Sequence, residues 1–333
     1  MVFRALVTDR DEEGLTRSTV QWVPDEKMPA GDVLVAIEWS GLNYKDALCL
    51  AGQGRLVREY PHIAGIDFAG RVVDSSDDRY RPGQAVALTG WHVGERRWGG
   101  FATRARVAGD WLVPLPKRLA PREAMVLGTA GFSAMLAINR LKDAGITMHS
   151  GDVVVTGAGG GVGSMAVMLL ARLGYNVVAV SGRPELYDEI KRLGAHRIIG
   201  REEMLVESGK PLDSSQWSAA IDSVGGPLLG QVLKKIKPGG VVAAVGNAGG
   251  MDWQGSVAPF ILRGLSLFGI NSVDQPYDVR VEAWERLASL YLPTVYGPLV
   301  REAVLGELED LAALTLSGGV GGRVVVNPRD DTR

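Results

Sequence analysis

The chain has a single cysteine, Cys49, and only four histidines, His62, His92, His149 and His196, in 333 residues. One cysteine excludes an intramolecular disulfide and a multi-cysteine zinc site, and the histidines stand at no metal-ligand spacing. Charge of one sign is also lacking: charged residues make up 22% of the chain, yet the formal net charge is -2. Such a balance gives no pull toward nucleic acid or an anionic membrane. No apolar run approaches a bilayer span. The opening MVFRALVTDRDEEG carries too short an apolar run and too many acids for a secretory signal. The expectation is a soluble protein of the reduced cytoplasm, with no nucleic-acid partner and no membrane partner.

Glycine, by contrast, is plentiful, with 44 residues. That frequency suits tight turns or backbone passing close to a ligand. In the first 120 residues, FRALVTD, STVQWV, DVLVAIEWS, FAGRVVDS, QAVALTG and FATRARV read as strands punctuated by Gly, Pro and Asp. From Pro121 to Leu141 the apolar residues fall in helical register. Strands and helices then alternate. VVVTG (153–157), VVAVS (177–181), RII (197–199), AAID (219–222) and VVAAVG (241–246) are buried-type strands. SMAVMLLARLG, ELYDEIKRLG and LLGQVLKKI are the helices between them. This alternation predicts an α/β domain with a doubly wound parallel sheet. LSLFGINSV (265–273) reads as a further strand, VEAWERLASLY (281–291) as a helix and GRVVVN (322–327) as a terminal strand.

The segment VVVTGAGGGVG (153–163) leaves a buried strand and opens a helix, as a dinucleotide-binding loop does. Ala158 stands where the first glycine is usual, followed by Gly159, Gly160, Gly161, Val162 and Gly163. Gly160 lets backbone approach a pyrophosphate, and Gly163 lets the helix pack close to the strand. The helix start offers free N–H groups to phosphate.

The next strand lacks what usually follows it. An NAD site places Asp or Glu about 20 residues beyond the loop, bonded to the ribose hydroxyls. Here the strand runs out into Ser181-Gly182-Arg183. A carboxylate would repel a 2′-phosphate, whereas an arginine fork suits one. The cofactor expected is NADPH, with Ser181, Gly182 and Arg183 around the 2′-phosphate and Arg201 as a second cation. A solvated-loop role for Arg183 is the competing reading.

Several segments together carry a resemblance. GLNYKD (41–46), GIDFAG (65–70), TGWHVGE (89–95) with WGG (98–100), GTAGF (128–132) and TGAGGGVG (156–163) resemble the medium-chain dehydrogenase/reductase superfamily. The match is to its zinc-free, quinone-oxidoreductase-like branch, and within it to the acryloyl-CoA reductase (NADPH) family. This implies a GroES-like, mostly β domain (1–124) and a Rossmann NADPH-binding domain (125–274). A C-terminal segment (275–333) returns to the first domain, and the active site lies in the cleft. It also implies a homodimer formed through the edge strand near Leu265–Val273. The metal-ligand positions of the zinc enzymes correspond here to Asn43, Tyr44 and the GID tripeptide, so no metal is expected.

The resemblance places Tyr44 beside the nicotinamide, either donating to a substrate enolate or holding the cofactor. Asn43 is a second donor or a residue stabilising its own turn, with both readings open. Asp67 is expected to fix loop geometry. Asn247, Ile261, Ser272, Gly318 and Arg323 match cofactor-side positions, although Gly318 and Arg323 also suit a plain turn and an exposed charge. Arg55, Arg58, Arg96 and Arg97 are candidate cations for the phosphates of CoA, and Trp91 and Trp98 candidate walls for the acyl channel. The implied reaction is NADPH-dependent reduction of the acryloyl-CoA C=C bond to propionyl-CoA. Hydride goes to the β-carbon and a proton to the α-carbon. The alternatives are an NADPH:quinone oxidoreductase or enone reductase, and a non-catalytic NADPH-binding sensor.

Overall fold

The computed structural model describes residues 1–330. The elements, in chain order, are β1 (Val2–Arg10), β2 (Thr16–Pro24), β3 (Val33–Leu42), α1 (Tyr44–Leu50), β4 (Asp67–Ser75), β5 (Ala85–Thr89), β6 (Arg104–Val107), β7 (Leu112–Pro114) and α2 (Pro121–Asp143). Then follow β8 (Val153–Thr156), α3 (Gly161–Arg172), β9 (Val177–Ser181), α4 (Tyr187–Arg192), β10 (Arg197–Gly200), α5 (Arg201–Leu205), β11 (Trp217–Asp222), α6 (Gly226–Lys235), β12 (Ile236–Ala244), α7 (Ala258–Arg263) and β13 (Ser266–Gly269). The chain ends through α8 (Tyr277–Leu290), α9 (Pro293–Tyr296), β14 (Val300–Val304), α10 (Leu308–Leu316) and β15 (Arg323–Asn327).

Two compact units result. The first comprises Met1–Thr129, Ser272–Ser289 and the described residues from Val300 onward; the second comprises Ala130–Asn271 and Leu290–Leu299. In the first unit, seven strands form one sheet in the order β14-β15-β3-β4-β5-β7, with β6 paired to β3, and β1 and β2 form a separate ribbon. The last strand in sequence lies antiparallel to β3 through Val324–Leu42, Val325–Gly41 and Val326–Ser40. Phe3, Leu6, Leu50, Phe101, Leu308 and Val326 share one buried cluster; Ile37, Phe68, Leu88 and Leu112 share another.

In the second unit the strand order is β10-β9-β8-β11-β12-β13, every neighbouring pair parallel. That is the doubly wound dinucleotide-binding order, whose chain reversal falls between β8 and β11. Val153, Val154, Val155 and Val177, Val178, Val180 are essentially inaccessible, as central strands covered on both faces require.

Some elements differ from the sequence reading. The helix from Pro121 runs on to Asp143 but breaks at Gly128, whose φ is 48° and ψ -154°. A Cβ there would lie 2.6 Å from both Arg323 Nη2 and Asp67 Oδ2, so the break makes room for that pair. This helix is apolar and long enough to cross a bilayer, yet 83% of its apolar window is buried within the protein. The strand expected over 265–273 ends at Gly269; Ile270 N still donates to Ala244 O at 2.9 Å, and Ser272–Ser289 belong to the first unit. The helix expected from Glu185 opens with a tight 3₁₀ turn at Pro184–Leu186, and α4 proper begins at Tyr187. FATRARV forms a ladder only over Arg104–Val107. Residues 290–299, expected in the C-terminal return, lie with the second unit.

Candidate active site

The second unit builds a phosphate-binding loop from its own sheet. β8 ends at Thr156, Gly157 turns left-handed at φ 63°, and α3 begins at Gly161. A Cβ on Gly163 would sit 2.2 Å from Gly157 O, so only glycine allows the helix this close to the loop. Gly160 caps the helix in extended conformation with no side-chain bond, leaving its first N–H groups open to an anion. Ser164 braces the turn, donating to Gly160 O at 2.6 Å and lying 2.7 Å from the Tyr296 hydroxyl.

Beneath the loop, Thr156 Oγ1 donates to Asp222 Oδ1 at 2.6 Å, and Gly225 N donates to Oδ2 at 2.8 Å. Burial pushes the Asp222 carboxyl above its ordinary range, against both donors. This aspartate joins the ends of β8 and β11 at the chain reversal. The sequence reading missed it, although it closes the AAID strand ahead of VGG.

At the end of β9, Ser181 is buried and accepts from Arg183 N at 3.1 Å. Arg183 Nη1 reaches Gly159 O at 3.3 Å, which brings the guanidinium to the glycine loop. Gly182 matters for space: a Cβ there would meet Arg201 Cδ at 3.2 Å and Cβ at 3.3 Å. Tyr187 closes the group, its hydroxyl 3.3 Å from Ser181 O. Two arginines, a serine hydroxyl and a phenol therefore meet at the end of β9. Ser181, Gly182, Arg183 and Arg201 were read from sequence; Tyr187 was not. Among the remaining candidates of this unit, Ile261 is exposed on α7, and Asn247 is exposed with its amide against Met251 Sδ.

The first unit gathers a different set. Asn43 caps α1: its N–H donates to Asp46 Oδ2 at 2.8 Å, and its amide donates to the same oxygen at 3.0 Å. Asp46 Oδ1 accepts from Gly65 N at 3.1 Å and Ile66 N at 2.7 Å, so one carboxylate ties the helix start to the GID turn. The Asn-x-x-Asp spacing is a capping-box signal present in GLNYKD. Burial first, and the Asp67 charge second, push Asp46 up to about 7 despite these donors. A pKa raised in the folded state contributes stability at low pH that is lost as pH rises through the folded value. Unfolding free energies should therefore fall in the wild type relative to Asp46→Asn as pH rises from 3.8 to about 7. Urea melts across that range check it; parallel curves would disprove it.

Asp67 is wholly buried and accepts from Thr129 N at 2.7 Å, as the loop-fixing reading expects. Arg323 is not an exposed charge: it is 3% accessible. Its Nη2 lies 3.8 Å from Asp67 Oδ2, Nε donates to Val126 O at 3.0 Å and Nη1 to Asn43 Oδ1 at 2.9 Å. Asn43 thus spends both ends of its amide on neighbours, which is the turn-stabilising alternative. Tyr44, the first residue of α1, remains partly open to solvent at 39%.

Arg280 escaped the sequence reading. Fully buried, it donates to Thr89 O at 2.7 Å, Val273 O at 2.6 Å and Gln275 O at 3.0 Å, and reaches Ser272 O at 3.3 Å. The Trp91 ring lies 4.8 Å from its guanidinium. Burial draws its pKa down to about 10. Trp91 and Ser272 are therefore held by one side chain. Trp98 is half-buried, its Nε1 3.4 Å from Pro61 O. Arg97 stacks 4.8 Å from Trp111. Arg55, Arg58 and Arg96 are exposed, and Gly318 closes α10 at φ 78°. Among the described residues, no group of three or more His, Cys, Asp or Glu side chains is arranged to hold a metal ion.

Residues 29–117 match the "Alcohol dehydrogenase GroES-like domain" family and residues 161–289 the "Zinc-binding dehydrogenase" family. The chain is 51% identical to acrylyl-CoA reductase AcuI of Ruegeria pomeroyi, over 98% of this chain and 99% of that protein. The yhdH oxidoreductase of Salmonella enterica, solved with NADP, superposes with a TM-score of 0.95 at 48% identity, over 98% of this chain and 100% of that one. The yhfP protein of Bacillus subtilis, solved with NAD bound, superposes at 0.93 with 44% identity, over 98% and 99%. With near-complete coverage at such identity, the chain belongs to the acrylyl-CoA reductase family of the medium-chain dehydrogenase/reductase superfamily, in its quinone-oxidoreductase-like branch.

Proposed function

We propose that the protein reduces the C=C bond of acrylyl-CoA to give propionyl-CoA, with NADPH as donor. The observation that carries this reading is the end-to-end 51% identity to a curated acrylyl-CoA reductase. The residues fit the cofactor: Gly163 can carry no side chain, the start of α3 is open, and Arg183 lies against the glycine loop. Gly159 to Gly163 would hold the pyrophosphate, and Ser181, Arg183 and Arg201 the 2′-phosphate. Asn247, Ile261 and Ser272 are proposed on the nicotinamide side, with Ala158, Val162 and Gly182 shaping the cradle. When bound, NADPH supplies the hydride for the β-carbon.

The chain's own part is orientation and charge stabilisation. Tyr44 donates a hydrogen bond toward the thioester oxygen, where negative charge develops as the enolate forms. Asn43, Asp46, Asp67 and Arg323 hold the start of α1 so that this phenol is aimed. Trp91 and Trp98 wall the acyl group, and Arg55 and Arg58 face the CoA phosphates. No metal takes part. The protein acts in the cytoplasm as a homodimer paired through the edge of β13.

Tyr44→Phe should leave the melting temperature unchanged and lower kcat by about tenfold, the effect of losing one hydrogen bond to developing charge. Wild-type kinetics would remove the hydroxyl from the reaction. Comparing kcat/KM for acrylyl-CoA with that for a simple quinone tests the substrate; equal or reversed values would transfer the protein to quinone reduction. NADPH binding without turnover on any enoyl thioester or enone would leave a sensor.

A further inference from the structure

A file of titratable side chains runs through the first unit beside Tyr44, and the reaction just described leaves it unused. Lys45, the next residue on α1, places Nζ 2.8 Å from Glu95 Oε1. The Glu95 side chain is only 7% accessible, and its other oxygen lies 3.4 Å from His92 Nδ1. His92 Nε2 then lies 3.7 Å from Asp274 Oδ1, whose side chain is 55% accessible. Only Glu95 is closed: Lys45 keeps 33% of its side chain accessible and His92 30%, so the file opens to solvent on either side of the carboxylate. The backbone is forced to form it: Trp91 and His92 take left-handed φ values of 56° and 59°. Residues with a side chain adopt that conformation uncommonly, a tryptophan least easily, and such positions gather at functional sites. An ordinary surface ion pair needs neither a buried carboxylate nor a strained histidine. Cys49 on α1 also feels the Lys45 and Glu95 charges but does not compete as an acid, because burial above all raises its thiol pKa.

Resting on the reading of this protein as a reductase of an activated C=C bond, a second requirement appears. Hydride addition leaves an enolate, and its α-carbon needs one proton per turnover. We propose that the Lys45 ammonium delivers this proton and that Glu95, His92 and Asp274 reload it from solvent. An N–H bond of Nζ breaks as the enolate's electron pair forms the α C–H bond, leaving a neutral amine. Glu95, ionised while paired to the ammonium, takes the Nδ1 proton of His92 at Oε2 as His92 Nε2 gains one from water on the Asp274 side. The carboxyl then turns and passes its proton to Nζ, which restores ammonium and carboxylate, and the half-open imidazole turns over to bring an N–H back to Glu95. A flexible four-carbon stem lets the ammonium leave Glu95 and return.

Turnover of acrylyl-CoA with NADPH in D₂O reads this step directly, because NMR of the product reports the configuration of its singly deuterated α-carbon. Wild type should give one configuration. Lys45→Met should lower kcat about 100-fold or more, the scale of general acid catalysis, and yield both configurations as bulk solvent protonates the enolate. His92→Gly keeps the left-handed backbone accessible, should lower kcat about tenfold, and should recover in part with added imidazole. NADPH binding followed by fluorescence should match wild type in both variants; Lys45→Met should melt lower, because the buried Glu95 carboxylate loses its ammonium, so its kinetics are read well below the melt. A Lys45→Met enzyme within about twofold of wild-type kcat, or one that still makes a single configuration, overturns Lys45 as donor. A His92→Gly enzyme with full activity, or one indifferent to imidazole, overturns the relay. If wild type fails to reduce acrylyl-CoA, the substrate reading fails and the relay falls with it.

Discussion

Replacing Arg183 with alanine should raise KM for NADPH by about 10- to 100-fold and leave KM for NADH nearly unchanged, because only NADPH carries the 2′-phosphate. The magnitude follows from losing one or two charge-assisted hydrogen bonds of about 1.5–3 kcal/mol each. Arg201 remains beside Gly182 in that variant, its side chain already against the backbone there, so some phosphate affinity should persist. The double replacement Arg183→Ala/Arg201→Ala should remove more. The Bacillus subtilis neighbour with NAD bound gives the comparison its point, since overall fold does not decide between the two cofactors. Steady-state kinetics with both nucleotides decide it, and equal changes in the two KM values would overturn the phosphate assignment.

The largest effect on stability is expected at Arg323. In Arg323→Met the Asp67 carboxylate, wholly buried, loses its guanidinium and keeps the Thr129 N–H, which donates at 2.7 Å. Breaking a buried pair from one side costs about 3–5 kcal/mol. Burial already raises the Asp67 pKa, with Arg323 as the main opposing influence. Without that influence the pKa rises further. A raised pKa gives stability below the ordinary carboxyl range that is lost as pH rises, so the destabilisation should grow with pH. Urea unfolding at acid and neutral pH measures this. Adding Asp67→Asn to Arg323→Met should recover part of the loss, and strict additivity would contradict the coupling.

Much of the second unit was legible because its signals are local. Buried strands, a glycine loop opening a helix, and Ser181-Gly182-Arg183 at the end of β9 occupy short stretches, so their placement follows from neighbouring residues. Asp222 and Tyr187 were missed because their importance lies in partners 66 and six positions away. In the first unit, Asn43 and Arg323 are separated by 280 positions, and no periodicity joins them. Arg280 was hidden inside a helix whose polar residues usually face solvent; its carbonyl partners reach back to Thr89. The Gly128 break had the same origin, since a helical pattern carries no record of the charges that must pass beside it.

The position of β15 bears on how the protein is made. Residues 323–327 lie between β14 and β3, one strand in from the edge of a sheet whose other strands mostly come from the first 120 residues. During synthesis the second unit has all its strands and both its chain segments once residue 299 has emerged. The first unit by then still lacks β14 and β15, and β3 presents an unpaired Ser40–Leu42 edge. An edge of that kind is a template for pairing with other chains. A ribosome stalled over the last coding stretch would therefore leave a finished nucleotide-binding unit tethered to an adhesive, unfinished one, making the nascent chain a substrate for chaperones.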